Sequence, residues 1–446
     1  MTLHSTMREF KYRYVYRSVA LALLCFAGAC TSGKIDQNAQ GTAGSGASGS
    51  VGSAGAGAAG GTAGQTGSTA GTSGGGTAGS SASSAGAGGA GPDGGQPTDG
   101  GGGDAPVVGT CTPVDPNDTF SPIMLLSQTG CMDPTDPTKF SSRAIPYEVN
   151  SPLWSDGADK TRAFVLPQGG KIHVDPTTAH WDFPMGTVMI KNFMFDGKLV
   201  ETRLFMHLSD DTWIGYGYEW NGQGSAKQTD ATIVGIPGAD VMFDTGQRTV
   251  HWYYPSRQNC MDCHNDVAGS SLGPSNEQMY RVASGDTMNQ FDKFNAMGLF
   301  DSPPAAPPAA QVLVTPYSIG DLTASGTLDQ KARSYLQANC AHCHQPNDGN
   351  IMSPFPNFDL RFTTALHDAN ICNVMTNKGL VPGSAATKIL VPGQPMNSVM
   401  WVRMNEPPSD DGTDSTGRMP QIGTHVVDTM GLQLIGDWIT ALTACP

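Results

Sequence analysis

The chain has little positive charge and lacks a long hydrophobic run. Its 446 residues include 25 Lys and Arg against 39 Asp and Glu, which gives a formal net charge of −14. This deficit argues against nucleic acid as a partner, because phosphate backbones are bound by clusters of basic side chains. The apolar run Val19–Phe26 is shorter than the roughly 20 residues that a membrane-spanning helix needs.

Apolar periodicity is also missing from about Gln37 to Val107, where nearly every residue is Gly, Ala, Ser or Thr. Such a segment cannot bury a hydrophobic core, so we expect a flexible tether over residues 30–107. A flexible chain of this length reaches roughly 45 to 50 Å.

The first thirty residues have the order of an export signal, which we assign to residues 1–29. Four basic residues precede the apolar run, and Ala-Gly-Ala then leads into Cys30. Cys30 stands where a bacterial lipobox has its acylated cysteine, although the residue three before it is Ala and not the usual Leu. The alternative is ordinary secretion with Cys30 in a disulfide. Thr31 and Ser32 resemble the sorting sequence of outer-membrane lipoproteins, so we expect a periplasmic or cell-surface protein whose only membrane contact is its lipid anchor.

The sequence contains Cys-x-x-Cys-His twice, at residues 260–264 and 340–344. This pattern is the attachment motif of c-type haem, in which two thiols bond the porphyrin and the adjacent imidazole binds the iron. A zinc site is one alternative for a Cys-x-x-Cys pair, but zinc prefers paired clusters that together supply four ligands. Thioredoxin-like redox chemistry is another, but it needs a βαβ unit, which is not evident in this sequence. We therefore predict two covalently attached haem c groups, held by the thiols of Cys260, Cys263, Cys340 and Cys343 and by the iron ligands His264 and His344.

Four further cysteines follow the tether. They are Cys111, Cys131, Cys372 and Cys445. An oxidising compartment favours disulfides. Sequence proximity favours Cys111 with Cys131 and Cys372 with Cys445, although four cysteines allow three pairings.

Alternating apolar and polar residues predict strands between Tyr147 and Pro255. The predicted strands are Lys160–Pro167, Thr187–Phe195, Leu199–Leu208, Thr212–Trp220 and Gln247–Tyr254. The pair Asp196-Gly197 predicts a hairpin turn between the second and third of them.

Two groups of side chains on these strands are open to a functional interpretation. Glu201, Arg203 and His207 share one face and could line a site, but such a row is more typical of a solvated face. The aromatic residues could bind sugar or cover a haem edge, but ordinary packing within the sheet is the expected role. They are Trp213, Tyr216, Tyr218 and Trp220.

Short helices near Ser275–Ala283 and Met288–Met297 follow the first motif. They are too few for a standard cytochrome domain, so the first haem should pack partly against the β-rich region. The spacing does not fix its sixth ligand. The candidates are Met279, Met288, Met297, His207 and His251. The proline-rich run Pro303–Pro308 then predicts a semi-rigid linker, assigned to residues 302–319.

Residues 320–446 are expected to form a separate helical unit. Thr327 and Gln330 make a capping box. The predicted buried face of this first helix consists of Leu328, Ala332, Tyr335 and Leu336. Asp428 can cap a closing helix, whose buried stripe is Ile435, Trp438, Ile439 and Leu442. Between these helices Met419 lies in a proline-containing loop, and we predict it as the sixth ligand of the second haem, with a core role as the alternative.

These features together resemble a family of exported bacterial dihaem c-type cytochromes that carry a β-rich N-terminal region, and the last part resembles a class I cytochrome c domain. The resemblance covers about Asn150 to the C-terminus. It rests on residues 152–157, 183–187, 201–203, 218–221, 272–274, both haem motifs and Arg418-Met419-Pro420. It implies an α+β multidomain fold, with a β-rich domain over 108–301 that carries the first motif and a mainly α cytochrome c domain over 320–446.

The resemblance implies haem binding and electron transfer to a redox partner protein. Loss of residues 1–29 removes four basic and one acidic residue and leaves 21 against 38, or −17, which favours a basic partner. A dihaem oxidoreductase, such as a peroxidase or dehydrogenase with the first haem as its reactive site, is the alternative. A third interpretation makes the β region a ligand-binding module. The sequence assigns no catalytic residue.

Overall fold

The structure is a computed structural model, and it describes residues 110–115, 118–317, 326–346, 358–376, 381, 383–406, 417–421 and 424–445. Contacts divide the chain into two units, Met1–Gln96 and Pro97–Pro446. The predicted signal peptide, Cys30 and the tether lie outside the described residues. No helix in the described part is long and apolar enough to cross a membrane.

The N-terminal half of the second unit consists mainly of strands. They are β1 Val114–Asp115, β2 Asp118–Pro122, β3 Ile145–Tyr147, β4 Asp159–Val165, β5 His173–Val174, β6 Trp181–Asp182, β7 Val188–Phe195, β8 Lys198–His207, β9 Trp213–Trp220, β10 Ala231–Ile233, β11 Ala239–Asp244 and β12 Thr249–Tyr254. Six form an antiparallel sheet in the order β10-β9-β8-β7-β4-β3, and β11 pairs with β12. The helices are α1 Arg257–Cys263, α2 Asn276–Met279, α3 Gln290–Ala296, α4 Leu328–Asn339, α5 Val399–Asn405 and α6 Thr429–Ala441. The chain is therefore a mixed α+β protein in which a β-rich region precedes the longer helices.

The five strands predicted from alternation are confirmed as β4, β7, β8, β9 and β12, and no end differs from the prediction by more than two residues. The predicted hairpin turn is also confirmed between β7 and β8. Asp196 and Gly197 have φ values of 51° and 78°, and this left-handed pair matches the twist of the two strands.

The central sheet is buried on both faces. One face contributes Tyr216, Tyr218 and Trp220 to a core that includes the Cys111–Cys131 disulfide, so these aromatic residues pack as expected. The opposite face packs Phe164 and Phe205 in a core with α3. Strands β11 and β12 cover one end of the sheet through a third core.

The interpretation of Glu201, Arg203 and His207 as a solvated face is wrong. Glu201 is 1% exposed, and it accepts hydrogen bonds from Arg203 at 2.7 and 2.8 Å and from Trp252 Nε1 at 3.0 Å. The indole of Trp252 belongs to β12. It covers the Glu201 carboxylate and also donates a hydrogen bond to it, and a buried charge needs such partners. His207 is also buried, with its ring nitrogens 2.7 Å from the Phe183 carbonyl and 2.8 Å from Asp211.

The short helices after the first motif are present, but α2 is shorter than the predicted Ser275–Ala283. The chain leaves the helix at Tyr280, and Val282 then pairs with Asn289 as an isolated bridge. Asn150 Nδ2 donates to the carbonyls of Glu277 and Tyr280 at this end of the helix. A tertiary contact thus satisfies the carbonyl groups that a longer helix would have paired.

The C-terminal helices begin as predicted. Thr327 and Gln330 form the capping box of α4, and the Asp428 side chain accepts from the Gly431 N–H at the start of α6. The predicted faces of both helices are buried except for Leu328, which is 36% exposed, and Leu442, which is partly exposed after the end of α6. The disulfide Cys372–Cys445 joins the segment before α5 to the C-terminus. Both disulfides are the pairs that sequence proximity favours.

The β-rich region and the helical region contact each other directly. Ser151 Oγ donates to the Ser334 carbonyl at 2.8 Å, and the Trp154 N–H donates to Asn339 Oδ1 at 2.7 Å. The predicted linker also takes part, because Leu313 is buried and the Val314 N–H donates to Ser334 Oγ. These contacts place the end of α4, and with it the second motif, beside the sheet.

Candidate functional site

Both Cys-x-x-Cys-His motifs line one cavity of about 690 Å³, which we call the motif cavity. Strands β7, β8 and β9 contribute to the lining, α1 and the segment after α4 carry the motifs, and the loop at residues 419–421 also lines the cavity. The volume lies in the range of about 300 to 1,000 Å³ that is typical of ligand and cofactor sites.

The first motif lies on α1 and at its C-terminal end. A reciprocal capping box between Ser256 and Asn259 starts the helix, and Cys260 and Cys263 follow within one turn. Both are free thiols, whereas the four cysteines outside the motifs in the described part of the chain are in disulfides. Burial raises the pKa of the Cys260 thiol.

His264 is oriented for metal binding through Nε2. Its Nδ1 lies 2.8 Å from the Ser270 carbonyl oxygen, which can only accept, so Nδ1 carries the proton and Nε2 keeps its lone pair. The ring packs on Phe205, with centroids 4.1 Å apart. Burial, reinforced by the positive charge of Lys191, lowers the pKa of His264 to about 3, so the imidazole is neutral at physiological pH.

The second motif follows the end of α4. The N–H groups of Cys343 and His344 donate to the Cys340 carbonyl at 3.1 and 2.9 Å, so the motif closes one tight turn. The His344 ring stacks on Phe358 at 4.4 Å, and its carbonyl accepts from the Leu360 N–H. Burial lowers the pKa of His344 to about 4, which again leaves a neutral imidazole.

The two motifs touch each other. A hydrogen bond between Cys263 and Cys343, together with burial, raises the pKa of Cys263 to about 12. The same hydrogen bond lowers the pKa of Cys343, although burial acts in the opposite direction there. His342 also contacts Cys263, and Cys343 Sγ lies 3.9 Å from the Asp262 carbonyl. Groups attached to the two motifs would therefore be neighbours.

Three cations cross the sheet beside the motif cavity. Arg162, Lys191 and Arg203 are directly paired across β4, β7 and β8. Lys191 and Arg203 line the cavity, while Arg162 and Lys191 line an adjoining smaller one of about 80 Å³. Burial and repulsion from both arginines lower the pKa of Lys191 to about 7. Among the described residues, Arg203 is the one member of this row with a carboxylate in an ion pair, Glu201. Directly opposed like charges destabilise a sheet, so the row of three cations fits an anionic ligand.

Two thioethers line the cavity near the C-terminal helices, Met404 of α5 and Met419. The Met419 N–H donates to the Arg403 carbonyl at 3.0 Å, and the Arg403 guanidinium donates to the Gly417 carbonyl. These bonds hold the loop against α5. Sequence reasoning identified Met419 from its proline-containing loop but missed Met404, which has the pattern of an ordinary helical core residue.

None of the five candidate sixth ligands of the first haem lines the motif cavity. Met279 is buried in the aromatic core with α3, Met288 and Met297 are about half exposed, and His207 is engaged as described above. His251 pairs with Asp240 on the β11–β12 hairpin. The structure instead places Met189 and His342 in the cavity wall, and neither could be distinguished from a packing residue or a motif spacer in the sequence.

The motif cysteines are not among the groups of converging metal ligands in the described part of the chain. Among the described residues, one group of three or more His, Cys, Asp or Glu has converging ligand atoms, and it consists of Asp240, His251 and His425. A four-ligand zinc site built from both motifs would require such convergence.

Comparisons with protein-family models, with curated proteins and with solved structures find no match for this chain.

Proposed function

We propose that this chain is an exported dihaem c-type cytochrome that transfers electrons. The observation that carries the proposal is that both Cys-x-x-Cys-His motifs present free thiols and neutral imidazoles to one cavity. Haem supplies reversible one-electron chemistry when it is bound. The motif cysteines would tether two such groups, and His264 and His344 would bind the irons.

The surroundings of the motifs support this proposal. Haem carries two propionates, and the row of Arg162, Lys191 and Arg203 offers positive charge for carboxylates next to the cavity. Met419 would complete the coordination of the second iron, and a thioether ligand raises the potential of haem. Because Cys263 contacts Cys343, haems attached to the two motifs would be neighbours, and a short distance favours fast electron transfer between them.

The direct test is the intact mass of protein made with a competent cytochrome maturation system. We expect two covalent haems in the wild type and one in either double variant, Cys260→Ser with Cys263→Ser or Cys340→Ser with Cys343→Ser. Cys372→Ser with Cys445→Ser is the matched control, because it removes a cysteine pair outside the motifs and should keep both haems. A haem-free wild type in which Cys263 is disulfide-bonded to Cys343 would refute the proposal.

A dihaem oxidoreductase is the second candidate function. Such an enzyme needs an open position on the iron of its reactive haem. It is favoured because none of the five sixth ligands suggested for the first haem lines the motif cavity. The reduced wild type should then bind carbon monoxide at the first haem and turn over peroxide. A protein that neither binds carbon monoxide at the first haem nor turns over peroxide would instead support the electron-carrier function.

The proposal includes export and anchoring through a lipid on Cys30, with a basic redox partner for the acidic chain. Cys30→Ser should move the protein from the membrane fraction to the soluble periplasm. A variant that still requires detergent for extraction would show that anchoring does not depend on Cys30.

A further inference from the structure

Three potential metal ligands converge outside the motif cavity. Asp240 and His251 lie on one face of the β11–β12 hairpin, and His425 lies in the segment just before α6. The Nε2 atoms of His251 and His425 are 2.7 and 3.3 Å from the same Asp240 Oδ1. The centroids of the two imidazoles are 3.8 Å apart, so both rings approach one point beside the carboxylate.

The imidazole of His425 is buried and lacks a hydrogen bond within the described part of the chain. The side chain is 3% exposed, and neither Nδ1 nor Nε2 has a hydrogen-bond partner among the described residues. Leaving a buried polar group unsatisfied destabilises the folded state, so native proteins rarely keep one without a ligand, an ion or water. A cation at Nε2 would satisfy this ring.

Asp156 holds His425 in place from the other side. Its carboxylate accepts the backbone N–H groups of His425 at 2.8 and 2.9 Å and of Val426 at 3.0 Å. Asp156 Oδ2 also faces His425 Nδ1 at 3.7 Å. A metal-binding histidine usually donates its second ring N–H to a carboxylate. Asp156 places a carboxylate on that side of His425, although 3.7 Å is longer than a hydrogen bond.

We propose that Asp240 Oδ1, His251 Nε2 and His425 Nε2 bind a divalent transition metal ion, Zn²⁺ being the ion that fits best. Two imidazoles and one carboxylate are a zinc donor set, and three protein ligands leave a fourth position for water. Asp240 and His251 are 31% and 34% exposed, so an ion can reach the site. The ion ties the β11–β12 hairpin to the segment that follows Met419.

The test is isothermal titration of Zn²⁺ into the purified holoprotein, prepared with EDTA, without a histidine tag and with the EDTA removed. We expect one equivalent to bind to the wild type. His251→Ala and Asp240→Asn should each weaken binding by at least about 100-fold, since even outer-shell changes cost about 10- to 100-fold. These exposed hairpin positions are preferred to the buried His425, whose replacement can impair folding. His173→Ala is the matched control, because His173 forms an exposed pair with Asp301 at 2.8 Å.

A wild type that binds no Zn²⁺, or that binds it as well as His251→Ala and Asp240→Asn do, would overturn the proposal. Diffraction at the zinc absorption edge gives a second measurement. An ion located away from Asp240, His251 and His425 would also overturn the proposal. The haem spectrum should stay unchanged in all three variants. The outcome of the zinc titration therefore does not depend on whether the haem proposal is correct.

Discussion

Gly215 on β9 leaves the space that the Cys260 thiol occupies. A Cβ atom at this glycine would lie 2.8 Å from Cys260 Sγ and 3.0 Å from Cys260 Cβ. The same Cβ atom would lie 3.4 Å from the phenyl ring of Phe205 on the next strand, so a side chain at residue 215 would be crowded from two sides. The first motif can therefore pack on the sheet only because residue 215 has no side chain.

Gly215→Ala should displace Cys260 and reduce occupancy of the first haem. Overpacking of this kind lowers the free energy of unfolding by about 1 to 3 kcal/mol, so we expect a lower midpoint of thermal unfolding. We also expect a fraction of the chains to carry one haem instead of two. Intact mass and calorimetry measure the two effects. Gly235→Ala is the control, because its Cβ would meet only Pro237 at an ordinary 3.7 Å. Full occupancy in Gly215→Ala would show that α1 tolerates a shift away from β9.

Met419→Ala should lower the potential of the second haem and open its iron to carbon monoxide, because the thioether is the predicted sixth ligand. The spectrum of the first haem should change little. Met404→Ala is the matched comparison, since it removes a second thioether from the same cavity. If Met404→Ala opens the iron and Met419→Ala does not, the ligand is Met404. If neither does, both are packing residues.

Lys191→Met should lower the potential of the neighbouring haem. A positive charge favours the reduced iron, and at about 10 Å with an effective dielectric constant near 20 it contributes roughly 1 to 2 kcal/mol, or about 50 to 80 mV. A redox titration at pH 6, below the pKa of about 7, keeps the wild-type side chain charged. Lys139→Met is the control at an exposed site outside the cavity. Equal potentials in wild type and Lys191→Met would show that the cation row does not act on the haem.

The strands and helix starts were predictable because their causes are local. Alternation along Val188–Phe195, the Asp196-Gly197 turn and the Thr327 capping box each depend on neighbours within a few residues. The burial of Glu201 was not predictable, because the indole that satisfies it comes from Trp252 on another hairpin. Alternation shows which residues share a face of a strand, but not what covers that face.

The same distinction applies to the candidate sites. The Cys-x-x-Cys-His motifs are contiguous, so the proposed haem ligands could be named from the sequence alone. The row of three cations could be recognised only from the strand register, which pairs Arg162 with Lys191 and Lys191 with Arg203. The group around His425 required a fold that brings the last hairpin of the β region to the segment before α6. Sites assembled from distant segments leave no spacing pattern in the sequence.

Asp359 secures the segment that carries the ring stacked on His344. Its carboxylate is bonded to the Arg361 guanidinium at 2.7 Å and to Thr364 Oγ1 at 2.6 Å, and the preceding residue is Phe358. Burial alone would raise the pKa of Asp359, but these hydrogen bonds and the Arg361 charge lower it below the usual value of 3.8.

Because the folded-state pKa is lowered, the unfolded chain binds a proton at a higher pH than the folded chain does. The stability that Asp359 contributes is therefore fully present above about pH 4 and is lost as the pH falls through the lowered pKa. Asp359→Asn should cost about 1 to 3 kcal/mol at pH 7 and should flatten the acid limb of the unfolding free energy measured by urea titration. Asp368→Asn, at an exposed carboxylate paired with His367, is the matched control. An acid limb identical in wild type and Asp359→Asn would show that other carboxylates govern acid unfolding.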